Sequence, residues 1–266
     1  MREDKKVAKL SQYVAKQPDT SGCIQYDAVE NETWKILIQR QMPLVEQYAC
    51  PEYIDALAKL DLPLDQIPQC AAVTERLIAK TGWQVAPVPA LIDFKTFFDM
   101  LANKVFPAAS FIRSRQELDY LQEPDIFHEI FGHTPLLSDP HFAEFTHSIG
   151  LLGQQADKSQ YVWIARIYWF TVEFGLLNDK ALGAGLISSF SELSYSVESK
   201  AAIRKPFDLI EVLRTPYRID IHQPSYYVLE SMEQLLALSQ QDLFAAIEQA
   251  RALGLHAPLY PVKAAS

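Results

Sequence analysis

The spacing of apolar residues along this 266-residue chain predicts a structure built mainly of α-helices. After Asn31, a residue type that caps helices, apolar side chains recur at helical intervals from Glu32 to Tyr48. The same kind of pattern predicts further helices over 53–60, 71–81, 93–103, 124–131, 140–152, 158–177, 206–213 and 240–253. The stretch 158–177 is apolar on most faces, which indicates a central buried helix.

Strand patterns are few and short along the chain. They occur near 111–113, 195–197 and 219–222, and prolines mark a loop over 87–89. Residues 1–30 are polar and are expected to form an extended arm. The predicted fold class is therefore mainly α with short β-strands, in a single domain that spans residues 1–266.

Composition and charge exclude several classes of function. The formal net charge is −9, whereas a nucleic-acid-binding face needs clustered lysine and arginine. Three cysteines without a C-x-x-C pair predict neither a zinc knuckle nor a disulfide framework. The most apolar stretch, 161–177, is interrupted by Arg166 and Glu173, so no membrane span is expected. These features favour a cytoplasmic protein.

Two histidines in the segment 124–133 are the first candidates for metal ligands. His128 and His133 are five residues apart, with Glu129 beside the first. Zinc proteases use H-E-x-x-H, in which positions four apart lie about 40° apart around an α-helix, whereas positions five apart lie about 140° apart. An unbroken α-helix cannot turn both histidines toward one metal. We expect Gly132 to end the helix in a left-handed conformation and to bring His133 back.

Glu173 is the natural third ligand, because a carboxylate among aromatic and β-branched neighbours is costly unless it is paired. Two histidines and one carboxylate form the facial triad of non-heme Fe(II) oxygenases. Two other interpretations remain open from the residues alone. The histidines could be ordinary core residues, and Glu173 could pair with Arg166. The spacing does not distinguish these, nor does it identify the metal.

Seven blocks of sequence together resemble the pterin-dependent aromatic amino acid hydroxylases, and they occur in that family's order across most of the chain. They are IPQC (67–70), TGW (81–83), FIR (111–113), EPDIFHEIFGHTPLLSDPHFAEF (123–145), IYWFTVEFGL (167–176), GAGLISSF (183–190) and QPSYYVLES (223–231). The resemblance is strongest to bacterial members that act on phenylalanine. It implies an Fe(II)-dependent monooxygenase that uses tetrahydrobiopterin, or a related tetrahydropterin, and O₂ to convert L-phenylalanine to L-tyrosine. Tryptophan hydroxylation by the same chemistry and a zinc hydrolase built on His128, Glu129 and His133 are the alternatives.

The resemblance also implies a role for each matching residue. The metal ligands it implies are His128, His133 and Glu173. The substrate-binding residues it implies are Arg113, Asp125, Pro124, Trp169, Phe174 and Ser188. The pterin-binding residues it implies are Phe97, Leu91, Ile92, Ala165 and Glu129. The candidate catalytic residues are Glu129, which the resemblance places near the pterin, and Tyr168, which it places near the iron. Without the resemblance, the two aromatics at 169 and 174 would be core packing, the serine a turn residue, and Phe97 part of an amphipathic helix face.

The resemblance covers the catalytic part of the family only. We expect no regulatory domain before this region and no C-terminal tetramerisation helix after it. The expected assembly is a monomer or a homodimer, with a small-molecule substrate as the partner and neither nucleic acid nor membrane.

Overall fold

A computed structural model describes residues 13–20, 22–89, 92–121 and 123–260. One buried apolar cluster, which extends from Trp34 to Ala250, joins nearly all of the elements. The α-helices are α1 (Ala28–Tyr48), α2 (Pro51–Leu60), α3 (Cys70–Thr81), α4 (Phe94–Ala102), α5 (Pro140–Gln155), α6 (Tyr161–Tyr168), α7 (Ala184–Ile187), α8 (Glu192–Glu198), α9 (Leu209–Arg214), α10 (Met232–Leu238) and α11 (Leu243–Leu253). Two π-helices, Phe127–His133 and Trp169–Glu173, lie among them.

The strands form two small sheets. β1 (Gln84–Val88) pairs in parallel with β2 (Val105–Ala109). The second sheet has the order β4-β3-β6-β5, formed by β3 (Leu176–Leu177), β4 (Lys180–Ala181), β5 (Ile203–Pro206) and β6 (Ser225–Leu229). The expected class, mainly α with short strands, is therefore confirmed. No helix in the described ranges has the length and apolar character that a membrane span needs.

The first helix begins earlier than predicted. Asp27, not Asn31, is its N-cap: the Asp27 carboxylate accepts hydrogen bonds from the backbone N–H groups of Val29 and Glu30. The Glu30 side chain bonds back to the Asp27 N–H at 2.7 Å, which completes a capping box. The Asn31 side chain instead accepts from the N–H of Ile67. The predicted arm over 1–30 is thus wrong for 28–30, and residues 1–12 and 21 lie outside the described part of the chain.

All three predicted strand positions were wrong. Residues 195–197 belong to α8, and neither 111–113 nor 219–222 forms a strand. The predicted loop over 87–89 begins inside β1, where Pro87 is tolerated because the two-stranded sheet leaves each strand with an outer edge. These strands have five residues or fewer, so an alternating pattern has little room to appear.

The central helix predicted over 158–177 is shorter and of two kinds. It begins as α6 at Tyr161, changes to the second π-helix at Trp169 and ends at Glu173, before β3. The predicted helix over 206–213 also begins later, at Leu209, because Asp208 caps α9 by accepting from the Glu211 N–H at 2.9 Å.

Both π-helices pack against α7 at very short range. A Cβ atom added to Gly132 would lie 3.0 Å from the carbonyl oxygen of Ala184, and one added to Gly183 would lie 2.2 Å from the carbonyl oxygen of Glu173. Glycine is needed at Gly183 because a side chain there would collide with the backbone, whereas at Gly132 a Cβ atom would be tight and its neighbours would have to shift slightly. This three-way contact brings the two segments that carry the predicted metal ligands together.

Candidate active site

The first π-helix places the two histidines on one side. Its backbone hydrogen bonds run from residue i to residue i+5, so its turn is wider than that of an α-helix and positions five apart lie close to one another. Nε2 of His128 lies 3.1 Å from Nε2 of His133. The prediction that Gly132 adopts a left-handed conformation was wrong. Gly132 has no positive φ, and the change in helix type, not a helix end, aligns the histidines.

The second π-helix brings Glu173 to the same point. Its carboxylate oxygens lie 3.2 Å from Nε2 of His133 and 3.6 Å from Nε2 of His128. Within the described residues, these three side chains are the group that could hold one metal ion, with ligand atoms within 4.8 Å of one another. The alternative pairing of Glu173 with Arg166 does not occur, since the Arg166 guanidinium bonds the carbonyl of Val162 and lies over the ring of Trp163.

A chain of hydrogen bonds fixes which ring nitrogen of His128 is available to bind a metal. The hydroxyl of Ser188 donates to the carbonyl of Ala184 at 2.8 Å, so its oxygen accepts from Nδ1 of His128, also at 2.8 Å. Nε2 then carries the lone pair and faces the other two ligands. This is the arrangement that a metal-binding imidazole requires.

The protonation states of His128 and Glu173 also suit the binding of a cation. Burial lowers the pKa of His128 to about 4, so its imidazole is neutral near pH 7. Burial opposes ionisation of Glu173, but contact with His133 keeps the pKa of its carboxyl below the ordinary value. Nδ1 of His133 is buried and has no hydrogen-bond partner among the described residues, so its ring rests on packing against Phe106. A divalent ion would satisfy the three converging ligand atoms.

Arg113 and Asp125 form a buried pair beside the triad. The Asp125 carboxylate accepts from Nε and Nη2 of Arg113 at 2.8 and 2.9 Å, and also from the Arg113 backbone N–H at 2.9 Å. Asp125 further accepts from the N–H of His128 at 3.1 Å, which ties the pair to the first π-helix. Two of the five guanidinium donors are used in this way, and no hydrogen bond of the other three to a described residue is seen.

A cavity of about 660 Å³ joins these two features. Its lining includes Arg113 at one side and the metal candidates His128 and Glu173 at another. Trp169 and Phe174 form an aromatic wall, with ring centroids 4.5 Å apart. Pro124 and Ser188 also line it, so the structure brings all of the predicted substrate residues except the fully buried Asp125 to this cavity.

Comparison with known proteins agrees with this geometry. The family model described as biopterin-dependent aromatic amino acid hydroxylase matches residues 2–250. A phenylalanine-4-hydroxylase of Pseudomonas aeruginosa is 51% identical over 262 residues, which cover 97% of this chain and 100% of that protein. The chain belongs to this family.

Solved structures of family members have the same fold. The apo structure of the cold-active phenylalanine hydroxylase from Colwellia psychrerythraea is 50% identical, with a TM-score of 0.92 over 96% of this chain and 100% of that one. The phenylalanine hydroxylase of Chromobacterium violaceum, solved with bound oxidised Fe(III), is 38% identical, with a TM-score of 0.85 over 91% of this chain and 89% of that one. The expected family and fold are therefore confirmed.

Phe97 and Tyr168, two of the residues to which the family resemblance assigns a role near the pterin or the iron, form a chain of ring contacts that leads to His133. The Phe97 ring packs edge-on against Tyr168 at 5.3 Å, and the Tyr168 ring lies 6.3 Å from that of His133. Glu129 is half-buried, and burial together with the Glu173 charge raises the pKa of its carboxyl well above the ordinary value. Their assignment to pterin binding or catalysis stays a prediction.

The remaining pterin predictions receive less support from the geometry. Ile92 and Ala165 are half-buried, and neither lines the 660 Å³ cavity. Leu91 lies outside the described residues. Their assignment to pterin binding stays a prediction.

Two polar residues of the site escaped the sequence-based prediction. Glu192 lines the cavity, and Gln223 hydrogen-bonds the indole of Trp169. Both lie in blocks that carry the family resemblance or next to them, but only the folded chain brings them together. Glu192 stands in a serine-rich segment, where a glutamate is an ordinary surface residue, so no local signal in the sequence draws attention to it.

Proposed function

We propose that this chain is a phenylalanine 4-monooxygenase, which converts L-phenylalanine to L-tyrosine with Fe(II), a tetrahydropterin such as tetrahydrobiopterin, and O₂. The observation that carries the proposal is that the side chains of His128, His133 and Glu173 converge on one point, and that His128 and Glu173 line a cavity together with a buried arginine and an aromatic wall. The relatives that cover nearly the whole chain are phenylalanine hydroxylases, and the family is pterin-dependent.

Iron and pterin, when bound, supply the activation of O₂. The two histidines and Glu173 would hold the iron on one face, which leaves positions on the opposite face for exchangeable ligands. Ser188 keeps His128 in the required tautomer. Glu129, Phe97 and Tyr168 would contact the pterin on their side of the metal, where the aromatic rings provide a stacking surface.

Arg113 would bind the α-carboxylate of the amino acid. The guanidinium is planar and is held by Asp125, so it meets a carboxylate in a fixed orientation and loses little freedom on binding. Trp169 and Phe174 would hold the aromatic ring, with Pro124 beside them. The ring would thereby be directed toward the metal.

The two alternative functions are not favoured. Zinc hydrolases with the H-E-x-x-H motif place their histidines on an α-helix, whereas these histidines lie five apart on a π-helix. Tryptophan hydroxylation would use the same metal chemistry, but the curated relatives that are more than 40% identical are phenylalanine hydroxylases.

We further propose a single catalytic domain that acts in the cytoplasm as a monomer or homodimer and does not bind nucleic acid. The shared buried core supports one domain, and the net charge of −9 supports the absence of nucleic-acid binding. Sedimentation of the purified protein and fractionation of cells would test assembly and location.

The direct test of function is reconstitution. The protein is loaded anaerobically with Fe(II) and then given air, tetrahydropterin and L-phenylalanine, and tyrosine is followed by chromatography. Tyrosine formed in step with pterin oxidation supports the proposal. Bound iron without any product from phenylalanine, tryptophan or tyrosine would refute it.

A further inference from the structure

Trp169, which forms part of the cavity wall, is held on three sides. Its indole stacks on Tyr217 with ring centroids 4.3 Å apart and planes 16° apart. Phe174 packs on it at 4.5 Å. Nε1 of the indole donates a hydrogen bond to Oε1 of Gln223 at 3.2 Å. The hydrogen bond is the one directional contact of the three, so it is the contact that can select a single ring orientation.

The amide of Gln223 can face the indole in only one way. Its Nε2 donates to the carbonyl oxygens of Arg218 at 2.8 Å and Ile221 at 3.2 Å. Carbonyl oxygens only accept hydrogen bonds, so the nitrogen must face them and the oxygen is left for the indole. An indole N–H can only donate, which makes the two requirements consistent.

Glu192 holds the backbone of Gln223 in place. Its Oε1 accepts from the Gln223 N–H at 2.7 Å and from the Tyr226 hydroxyl at 2.7 Å. Glu192 is 6% exposed and Gln223 is 1% exposed, so these polar groups are buried at a cost that only their mutual hydrogen bonds offset. The carboxylate thereby connects the start of α8, the segment 218–223 and β6.

This network also holds a second part of the cavity lining. The segment 219–222, which Glu192 and Gln223 anchor, lines the cavity along with Trp169. One buried cluster therefore holds both the aromatic wall and the segment 219–222, which belong to the lining of the same cavity. The substrate ring would fit in this cavity.

We infer that Gln223 is a positioning residue that fixes the orientation of Trp169 and thereby favours phenylalanine over the larger tryptophan, with Glu192 holding Gln223 in place. The inference rests on the proposed function. Gln223 need not touch the substrate, because it acts through the indole.

Four substitutions separate this role from a general structural one. Gln223→Leu removes both the acceptor and the donors, whereas Gln223→Glu keeps an acceptor for the indole but turns a carboxylate toward two carbonyl oxygens. Glu192→Leu removes the acceptor that holds Gln223 and Tyr226, whereas Glu192→Gln retains an Oε1 acceptor and should behave nearly as the wild type does.

Tyrosine variants provide a matched control on β6. Tyr226→Phe removes a hydroxyl that bonds Glu192, while Tyr227→Phe removes an equally buried hydroxyl that bonds Thr215. Only the first should affect the network. These variants lose one hydroxyl each, so they remain informative if the leucine variants fold poorly.

The experiment compares two readouts in the iron-loaded protein. The first is the ratio of kcat/KM for L-phenylalanine to that for L-tryptophan, together with tyrosine formed per pterin consumed. The second is the near-ultraviolet circular dichroism of Trp169, obtained by difference from Trp169→Phe, which needs no turnover. We expect Gln223→Leu to lower the kcat/KM ratio of L-phenylalanine to L-tryptophan about tenfold, which is the size of effect that the loss of one hydrogen bond produces. We also expect it to diminish the circular dichroism of Trp169.

An unchanged Trp169 signal and an unchanged substrate ratio in folded Gln223→Leu and Tyr226→Phe would overturn the inference. Equal effects of Tyr226→Phe and Tyr227→Phe would also overturn it. A wild-type protein that forms no tyrosine would contradict the proposed function instead, and the spectroscopic comparison would still decide whether Gln223 orients Trp169.

Discussion

Ser188 and His128 are joined by a hydrogen bond of 2.8 Å, in which the direction of the serine hydroxyl sets the tautomer of the imidazole. We expect Ser188→Ala to reduce affinity for Fe(II) by about 10- to 100-fold, as loss of such supporting contacts to metal-bound histidine does elsewhere. Iron content after equilibrium dialysis measures this. Ser196→Ala is the control, since the hydroxyl of that buried serine donates only to the carbonyl of Leu193 among the described contacts. Equal iron affinity in both variants would contradict the role of Ser188.

Arg113 should determine the KM for the amino acid and not the iron content. Arg113→Lys keeps a charge beside Asp125 but loses the planar fork, and Arg113→Ala loses both. We expect the KM for L-phenylalanine to rise about 10- to 100-fold, because charged hydrogen bonds contribute about 1.5–3 kcal/mol. Arg251→Lys, on the exposed face of α11, is the control. An unchanged KM in Arg113→Lys would exclude the carboxylate role.

The contact between Gly132 and Ala184 should limit the size of residue 132. Gly132→Ala places a methyl group 3.0 Å from the Ala184 carbonyl oxygen and 3.2 Å from its Cβ, so the first π-helix must shift. We expect a loss of about 1–3 kcal/mol in the free energy of unfolding, with weaker iron binding, measured by denaturation and metal analysis. Adding Ala184→Gly removes the Cβ contact and should restore part of the loss. An unchanged free energy of unfolding and unchanged iron binding in Gly132→Ala would show that the packing around residue 132 tolerates a methyl group.

Glu192 should give the protein a specific dependence on pH. Burial is the largest cause that raises the pKa of its carboxyl, while bonds from Gln223 and Tyr226 and the nearby His222 oppose the rise. The folded state therefore holds this proton at a pH where the unfolded state has released it. Stability from Glu192 is lost as pH rises from about 4.3, the ordinary glutamic acid pKa, through the raised value.

Glu192→Gln removes that titration and should flatten the slope of the melting temperature with pH across this range. Thermal unfolding of both proteins over a pH series measures the difference. Because Oε1 accepts both hydrogen bonds, protonation of the other oxygen leaves the anchor intact. A steeper slope in the variant would show that the sign is wrong.

The sequence was sufficient to predict the three metal candidates but not how they come together. The five-residue spacing of His128 and His133 was recognised as incompatible with an α-helix, and a break at Gly132 was the expected solution. The chain instead forms a π-helix, which depends on long-range packing against α7 and has no known local signature here. Glu173 is predictable as a ligand from the cost of burying its charge among apolar neighbours, which is a local property.

The strands and the hydrogen-bond network of Gln223 could not be predicted from the sequence, for a related reason. β5 and β6 pair side by side although 18 or more residues separate them, and each is too short to show an alternating pattern. Gln223 meets Trp169 across 54 positions of chain. Contacts at such separations depend on the whole fold, whereas caps and helix periods depend on neighbours.

The central claim is that the protein transfers an oxygen atom from O₂ to L-phenylalanine. Its most direct test is to follow labelled oxygen into the product. The Fe(II)-loaded protein is given tetrahydropterin, L-phenylalanine and ¹⁸O₂, and the tyrosine is analysed by mass spectrometry beside Glu173→Ala. We predict that the wild type incorporates the heavy isotope into the tyrosine hydroxyl, while Glu173→Ala binds little iron and forms almost no tyrosine. Tyrosine without the label, or full activity in Glu173→Ala, would contradict the account.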